Sequence, residues 1–138
     1  MGLSVCAAFL TTNQRAAFAQ SAETPPKEKT TAPALPEVVA PYDDKLLRLS
    51  EVLGSIHYLR KLCRADEGMK WRDTMAAILK SEQPQDKRRA RLIARFNRGY
   101  NAFSEVYAHC TPSAVVAADR YLKEGVRLSS QITTRYGR

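Results

Sequence analysis

From Tyr42 onward, apolar residues recur at intervals of three and four, the period of an α-helix, and nowhere alternate as a strand requires. Leu46, Leu49, Leu53, Ile56, Leu59 and Cys63 form the first stripe, widened by Leu47, Val52 and Leu62. Asp43 and Asp44 open it, where acids suit the positive end of the helix dipole. This helix is predicted to run to about Arg64. Asp66 and Gly68 mark a turn, and a second, shorter helix carries Trp71, Met75, Ile78 and Leu79 on one face. Pro84 interrupts the pattern and suits the first turn of a third helix. The stripe of that helix is Leu92, Phe96, Tyr100, Phe103, Tyr107 and Cys110. Thr111 and Pro112 then form a stop and a restart, with Thr111 as N-cap and Pro112 at the first helical position. Val115, Ala118, Leu122, Val126 and Ile132 line the fourth helix, which frays near Tyr136 and Gly137.

Four amphipathic helices with short connections predict an all-α domain over 42–138. The architecture is a small up-down-up-down four-helix bundle or a close irregular relative. In that topology the first and third helices run parallel, so their C-terminal ends share one end of the bundle. Cys63 and Cys110 sit at those two ends and on the apolar stripes. Order, topology and position therefore agree on one Cys63–Cys110 disulfide, expected to stabilise the fold by roughly 4 kcal/mol through loop closure. Asn97 and Gly99 interrupt the helix propensity of the third helix, and Gly99 is expected to admit a close neighbour.

The first 41 residues lack this periodicity. Leu3 to Leu10 form a short apolar run, and Ala17-Phe18-Ala19 before Gln20 fits signal peptidase cleavage after Ala19. No Lys or Arg precedes the run, and Arg15 follows it, which suggests a true start upstream of Met1. Residues 1–19 are thus read as a signal peptide and the product as periplasmic. Cleavage removes Cys6 and leaves an even pair of cysteines for an oxidising compartment. Residues 20–41 hold five of the seven prolines and are read as a disordered Pro-rich linker.

Composition narrows the chemistry. The chain has 138 residues, enough for one domain, and 44% hydrophobic with 26% charged residues marks it as globular. Twenty-two Lys and Arg against fourteen Asp and Glu give a formal charge of +8, which favours anionic partners. No apolar run is long enough for a membrane-spanning helix. No phosphate-binding loop, serine elbow or carboxylate pair stands out. The histidines are His57 and His109. Glu105 and His109, four apart, would share a helix face and touch one metal; zinc needs three or four ligands, and the cysteines are better used as a bridge. His109 and Cys110 are neighbours that would point about 100° apart on a helix, which disfavours a thiol–imidazole pair. No catalytic residue, metal or cofactor is assigned.

The most distinctive polar feature is the third helix. Arg88, Arg91, Arg95 and Arg98 follow spacings of three, four and three and form one stripe, accompanied by Lys87 and Arg89. Arginine suits bidentate capture of carboxylate or phosphate. The stripe is taken as the partner-binding site for an envelope protein or an anionic wall or lipid component; nucleic acid is disfavoured by export. Two other functions compete with this binding or adaptor role: a metal- or thiol-dependent envelope enzyme, and a cytosolic nucleic-acid-binding protein.

Several short runs together carry a resemblance over about 42–137. They are Tyr58-Leu59-Arg60-Lys61-Leu62-Cys63, then Trp71-Arg72 with Met75, then Phe96-Asn97-Arg98-Gly99-Tyr100 leading to Phe103, Tyr107 and Cys110-Thr111, and finally Arg135-Tyr136-Gly137. The domain resembles an uncharacterised alphaproteobacterial family of small exported proteins, classed as a domain of unknown function. The resemblance implies a leader-bearing protein and brings no established activity, so it transfers no catalytic residues.

Overall fold

In the computed structural model the described residues are 39–63 and 65–137, and they form helices with no strand. These are α1 (Asp43–Leu62), α2 (Lys70–Glu82), α3 (Asp86–Ser104) and α4 (Pro112–Tyr136). The leader, the cleavage after Ala19 and all but the last three residues of the Pro-rich linker lie outside the described residues.

The first helix is the hub. A helix apolar on most of its circumference must be covered on most sides, and α1 packs against α2, α3 and α4, while those three pack chiefly on α1. Leu46, Leu49, Val52, Leu53 and Ile56 meet Met75 and Leu79 of α2, Leu92 of α3 and Leu128 of α4 in the main core. A second cluster joins Leu59 to Ala114 and Ala118 beside Phe103 and Tyr107. Each fully buried Leu or Ile contributes roughly 1.5–3 kcal/mol. Ser50 and Ser55 are buried too, but each hydroxyl donates to a carbonyl one turn back, Leu46 O and Glu51 O, both at 2.9 Å. With α1 as hub, the bundle is the irregular relative of the up-down-up-down arrangement.

The pairings show α1 and α3 running parallel: Asp43 meets Arg88, Glu51 meets Arg95, and Tyr58 donates its hydroxyl to Tyr107 O. The disulfide joins Cys63 to Cys110 at the far end of that pair. The two helices touch backbone to backbone. A Cβ on Gly54 would stand 1.9 Å from Phe96 O, and one on Gly99 would stand 1.9 Å from Glu51 O. The close neighbour expected at Gly99 is thus helix α1 itself, with a glycine of its own.

Three sequence expectations change. Pro84 lies before α3 rather than in its first turn; Gln85 is the N-cap and Asp86 the first-turn acid. The stripe of α3 stops at Phe103, because the helix ends at Ser104; Tyr107 and Cys110 belong to the connection that follows. Thr111 does cap α4, its Oγ1 accepting from Ala114 N at 3.1 Å, with Pro112 next. The buried face of α4, however, is rotated: Ala114, Ala118, Gly125 and Leu128 face inward, while Val115 and Val126 are 43% and 65% exposed. The small residues let α4 lie close on α1, and the bulkier valines turn outward.

Candidate functional site

The first 40 residues hold three basic and three acidic side chains, so the whole formal charge of +8 belongs to 41–138. The arginines of α3 do not form one uniform stripe. Arg88 is buried, 7% exposed, and donates through Nε and Nη2 to Asp43 Oδ1 at 2.8 and 2.6 Å and through Nη2 to Glu82 Oε2 at 2.8 Å. Glu82 also accepts from the Tyr42 hydroxyl at 3.1 Å. Arg88 thus ties α3 to the starts of α1 and the end of α2, and its two carboxylates raise its pKa further. Its guanidinium is directed at Asp43 and Glu82 inside the fold, not at the surface on which the stripe is expected to meet a partner.

Further along α3 the stripe reaches the surface. Arg95 donates to Glu51 Oε2 at 3.1 Å, and Arg98 Nε lies 3.9 Å from Glu51 Oε1. Arg48 of α1 donates to the same carboxylate at 3.2 Å and grips Glu124 of α4 through two bonds of 2.7 and 3.0 Å. That grip holds the Glu124 carboxyl below the usual range, with Arg127 and Arg120 adding to the effect. Five guanidiniums from three helices, those of Arg48, Arg95, Arg98, Arg120 and Arg127, therefore surround two carboxylates. Arg91 is exposed on the same side of α3 as Arg95 and Arg98. The sequence did not point to Arg48, Glu51 or Glu124, whose polar positions on the hub helix and on α4 only acquire meaning once α3 and α4 flank α1.

The other chemistry-bearing residues scatter. Glu105 follows the end of α3, so it and His109 share no helix face, and both are exposed. His57 is buried on α1 between the rings of Phe96 and Tyr100, at 6.0 and 5.9 Å. Burial, then Lys61 and Arg72, hold its pKa below the ordinary histidine value. Among the described residues no three His, Cys, Asp or Glu side chains converge as metal ligands.

Because α2 rests mainly on α1 through Met75 and Leu79, a cleft opens on each side of it. The α2–α4 cleft holds about 640 Å³, with Leu49, Leu53 and Ile56 at its floor and Trp71, Ile78 and Val126 on its walls. The α2–α3 cleft holds about 560 Å³ above His57. Among the described residues no helix is long and apolar enough to cross a membrane.

No curated protein and no solved structure matches the chain. Residues 41–136 do match a protein family, described as protein of unknown function (DUF2385). That span takes in all four helices, the Gly54–Gly99 crossing and both bridged cysteines, and by it the chain belongs to this family of proteins of unknown function.

Proposed function

We propose that this domain is a non-enzymatic binding or adaptor module of the cell envelope that docks an anionic partner on its α3–α1–α4 face. The observation that carries the reading is the surplus of guanidinium over carboxylate there. Glu51 is shared by Arg48, Arg95 and Arg98, and Glu124 is held by Arg48 with Arg120 and Arg127 nearby, so two negative charges serve five positive ones. Arg95 and Arg98 keep 43% and 68% of their side chains exposed, which leaves donors for carboxylate or phosphate oxygens. Arg88 has no part in the face. The disulfide supports the envelope location, since such bridges persist in oxidising compartments.

Binding of the full chain to vesicles of phosphatidylglycerol, to vesicles of phosphatidylcholine and to polyglutamate tests the reading. Retention on an anionic surface, falling as salt rises and lost in Arg95→Glu/Arg98→Glu with the helical signal unchanged, is the expected result. Equal binding by that variant would overturn it. The location is checked by the intact mass of protein from the native envelope fraction: a chain beginning at Gln20, alkylated only after reduction, is expected.

A further inference from the structure

We propose that the cleft between α2 and α3 binds a single-chain anionic amphiphile, the alkyl chain lying between its apolar walls and the acidic head meeting Lys61 and Arg72. This site is separate from the basic face above and does not depend on it. The cleft exists because α2 and α3 each pack on α1 rather than on each other. Its volume of about 560 Å³ falls within the roughly 300–1,000 Å³ typical of ligand sites.

The lining is mostly apolar or basic, with two further polar side chains, His57 of α1 and Asn97 of α3, among it. Met69 and Met75 of α2 and Ile93, Phe96 and Tyr100 of α3 supply apolar walls. Two of these, Met69 and Ile93, stand 45% and 38% exposed at the rim, among the large apolar side chains left open to solvent. Methionine walls adapt to flexible alkyl chains, because the thioether side chain is unbranched and polarizable. The charged lining is of one sign: Lys61 and Arg72 are both exposed there, and among the described residues no Asp or Glu lines the cleft. Asp73, the next residue along α2, is close enough to influence His57 but is not part of the wall. An apolar trough ending in two uncancelled cations matches a ligand with an alkyl body and a carboxylate or phosphate head. The α2–α4 cleft, lined by Thr74, Ser81, Ser129 and Thr133 and by the carboxylate of Glu82, offers an acidic head group no cationic partner.

Methionine provides the probe, since two of the three methionines in the chain line this cleft. The full chain is labelled with ¹³C-methyl methionine and titrated with dodecanoate and with lauroyl lysophosphatidate, each below its micelle concentration. Dodecyltrimethylammonium serves as the cationic control. Saturable shifts of the Met69 and Met75 methyls by at least one of the anions are expected. The carboxylate and phosphate arms show which head group is preferred. Shortening dodecanoate to decanoate removes two methylenes and should weaken binding about fifteenfold, at about fourfold per buried methylene. Lys61→Gln/Arg72→Gln, which removes only exposed charge, should weaken the anions about tenfold without changing the helical signal. Three results would overturn the proposal: no saturable shift with either anion, equal affinity for the cationic amphiphile, or shifts indifferent to the double substitution. Methyl shifts that follow protein concentration alone would also overturn it, by showing that a second copy fills the cleft.

Discussion

The crossing of α1 and α3 makes a sharp demand on two residues, and Gly99→Ala tests it. A Cβ at position 99 would stand 1.9 Å from Glu51 O, 2.8 Å from Glu51 C and 2.9 Å from Ser55 Oγ. A carbon rests about 3.3 Å or more from a carbonyl oxygen, so the helices must part locally by about 1.4 Å. The obstacle is helix backbone, which cannot swing aside as a side-chain tip does. Overpacking of this kind costs about 1–3 kcal/mol and sometimes more. Even a gap of up to 1 Å forfeits a quarter to a half of the dispersion energy of the contacts involved. Against this, alanine gains about 1 kcal/mol of helix propensity over glycine. With an obstacle of backbone the overpacking belongs at the upper end, about 3 kcal/mol, so the net expectation is a loss of about 2 kcal/mol, or a fall in Tm of about 8–16 °C for a domain of this size. Thermal unfolding followed by circular dichroism reads it directly. Gly54→Ala should behave alike, its Cβ meeting Phe96 O at 1.9 Å. The double variant should cost much less than the sum of the singles, because helices already parted for one methyl make room for the other. Gly125→Ala is the control: its Cβ would meet side-chain tips rather than backbone, Val52 Cγ1 at 3.2 Å with Ile56 Cδ1 and Leu49 Cδ1 at 3.9 and 4.0 Å, and the propensity gain should leave stability nearly unchanged. A Gly99→Ala protein as stable as the parent, or strictly additive singles, would refute the reasoning.

Three further outcomes follow from the buried charges, the bridge and the buried imidazole. Arg88→Met leaves Asp43 buried without its cation and should cost about 3–5 kcal/mol in urea unfolding; an unchanged midpoint would show that Asp43 finds other solvation. Reduction, or Cys63→Ser/Cys110→Ser, should remove roughly 4 kcal/mol by freeing a 47-residue separation in the unfolded chain; a Tm indifferent to reductant would contradict this. His57 is held neutral by burial and by Lys61 and Arg72, so its folded pKa lies below the ordinary value of about 6.5. The unfolded chain then takes up the proton first, and this part of the stability is complete above that value and declines as pH falls through it. His57→Gln should flatten the decline in Tm between about pH 7 and pH 5 relative to the parent, and parallel slopes would remove His57 as its source.

The helices and the bridge were legible because each rests on a local signal. Periodicity located all four helices, Thr111 and Pro112 marked the start of α4, and cysteine order with bundle topology named the pair that is joined. What was not legible turned on residue size rather than polarity. Apolar spacing placed Ala118 inside but also favoured Val115 and Val126 for the interior of α4, whereas Ala114 and Gly125 are there. A helix lying close on its neighbour needs small residues at the contact, and hydrophobic spacing does not record that need. Gly54 passed unnoticed for the same reason, in a helix whose leucines dominated the pattern. The ends of α3 were misjudged where the apolar sequence runs on beyond the helix, through Tyr107 to Cys110.

The arginines of α3 show why a charge stripe cannot be converted directly into a surface. Arg88, Arg95 and Arg98 have the same residue type and a regular spacing, yet their roles are set by what α1 and α2 place opposite them. Asp43 and Glu82 converge on Arg88 and draw it inside, where it serves as a strut between three helices. About two turns further along both α1 and α3, Glu51 alone among the described carboxylates faces Arg95 and Arg98, and it is already shared with Arg48. A single carboxylate cannot draw three guanidiniums out of water, because each would lose more hydration than one shared anion returns. The positive charge therefore stays at the surface on that side. On the other side of α3, Ile93 and Phe96 face α2 across a cleft whose cations come from α1 and α2 instead. One helix thus contributes a strut, a basic face and an apolar wall, and which residue does which is decided by the acids and the spacing of its neighbours.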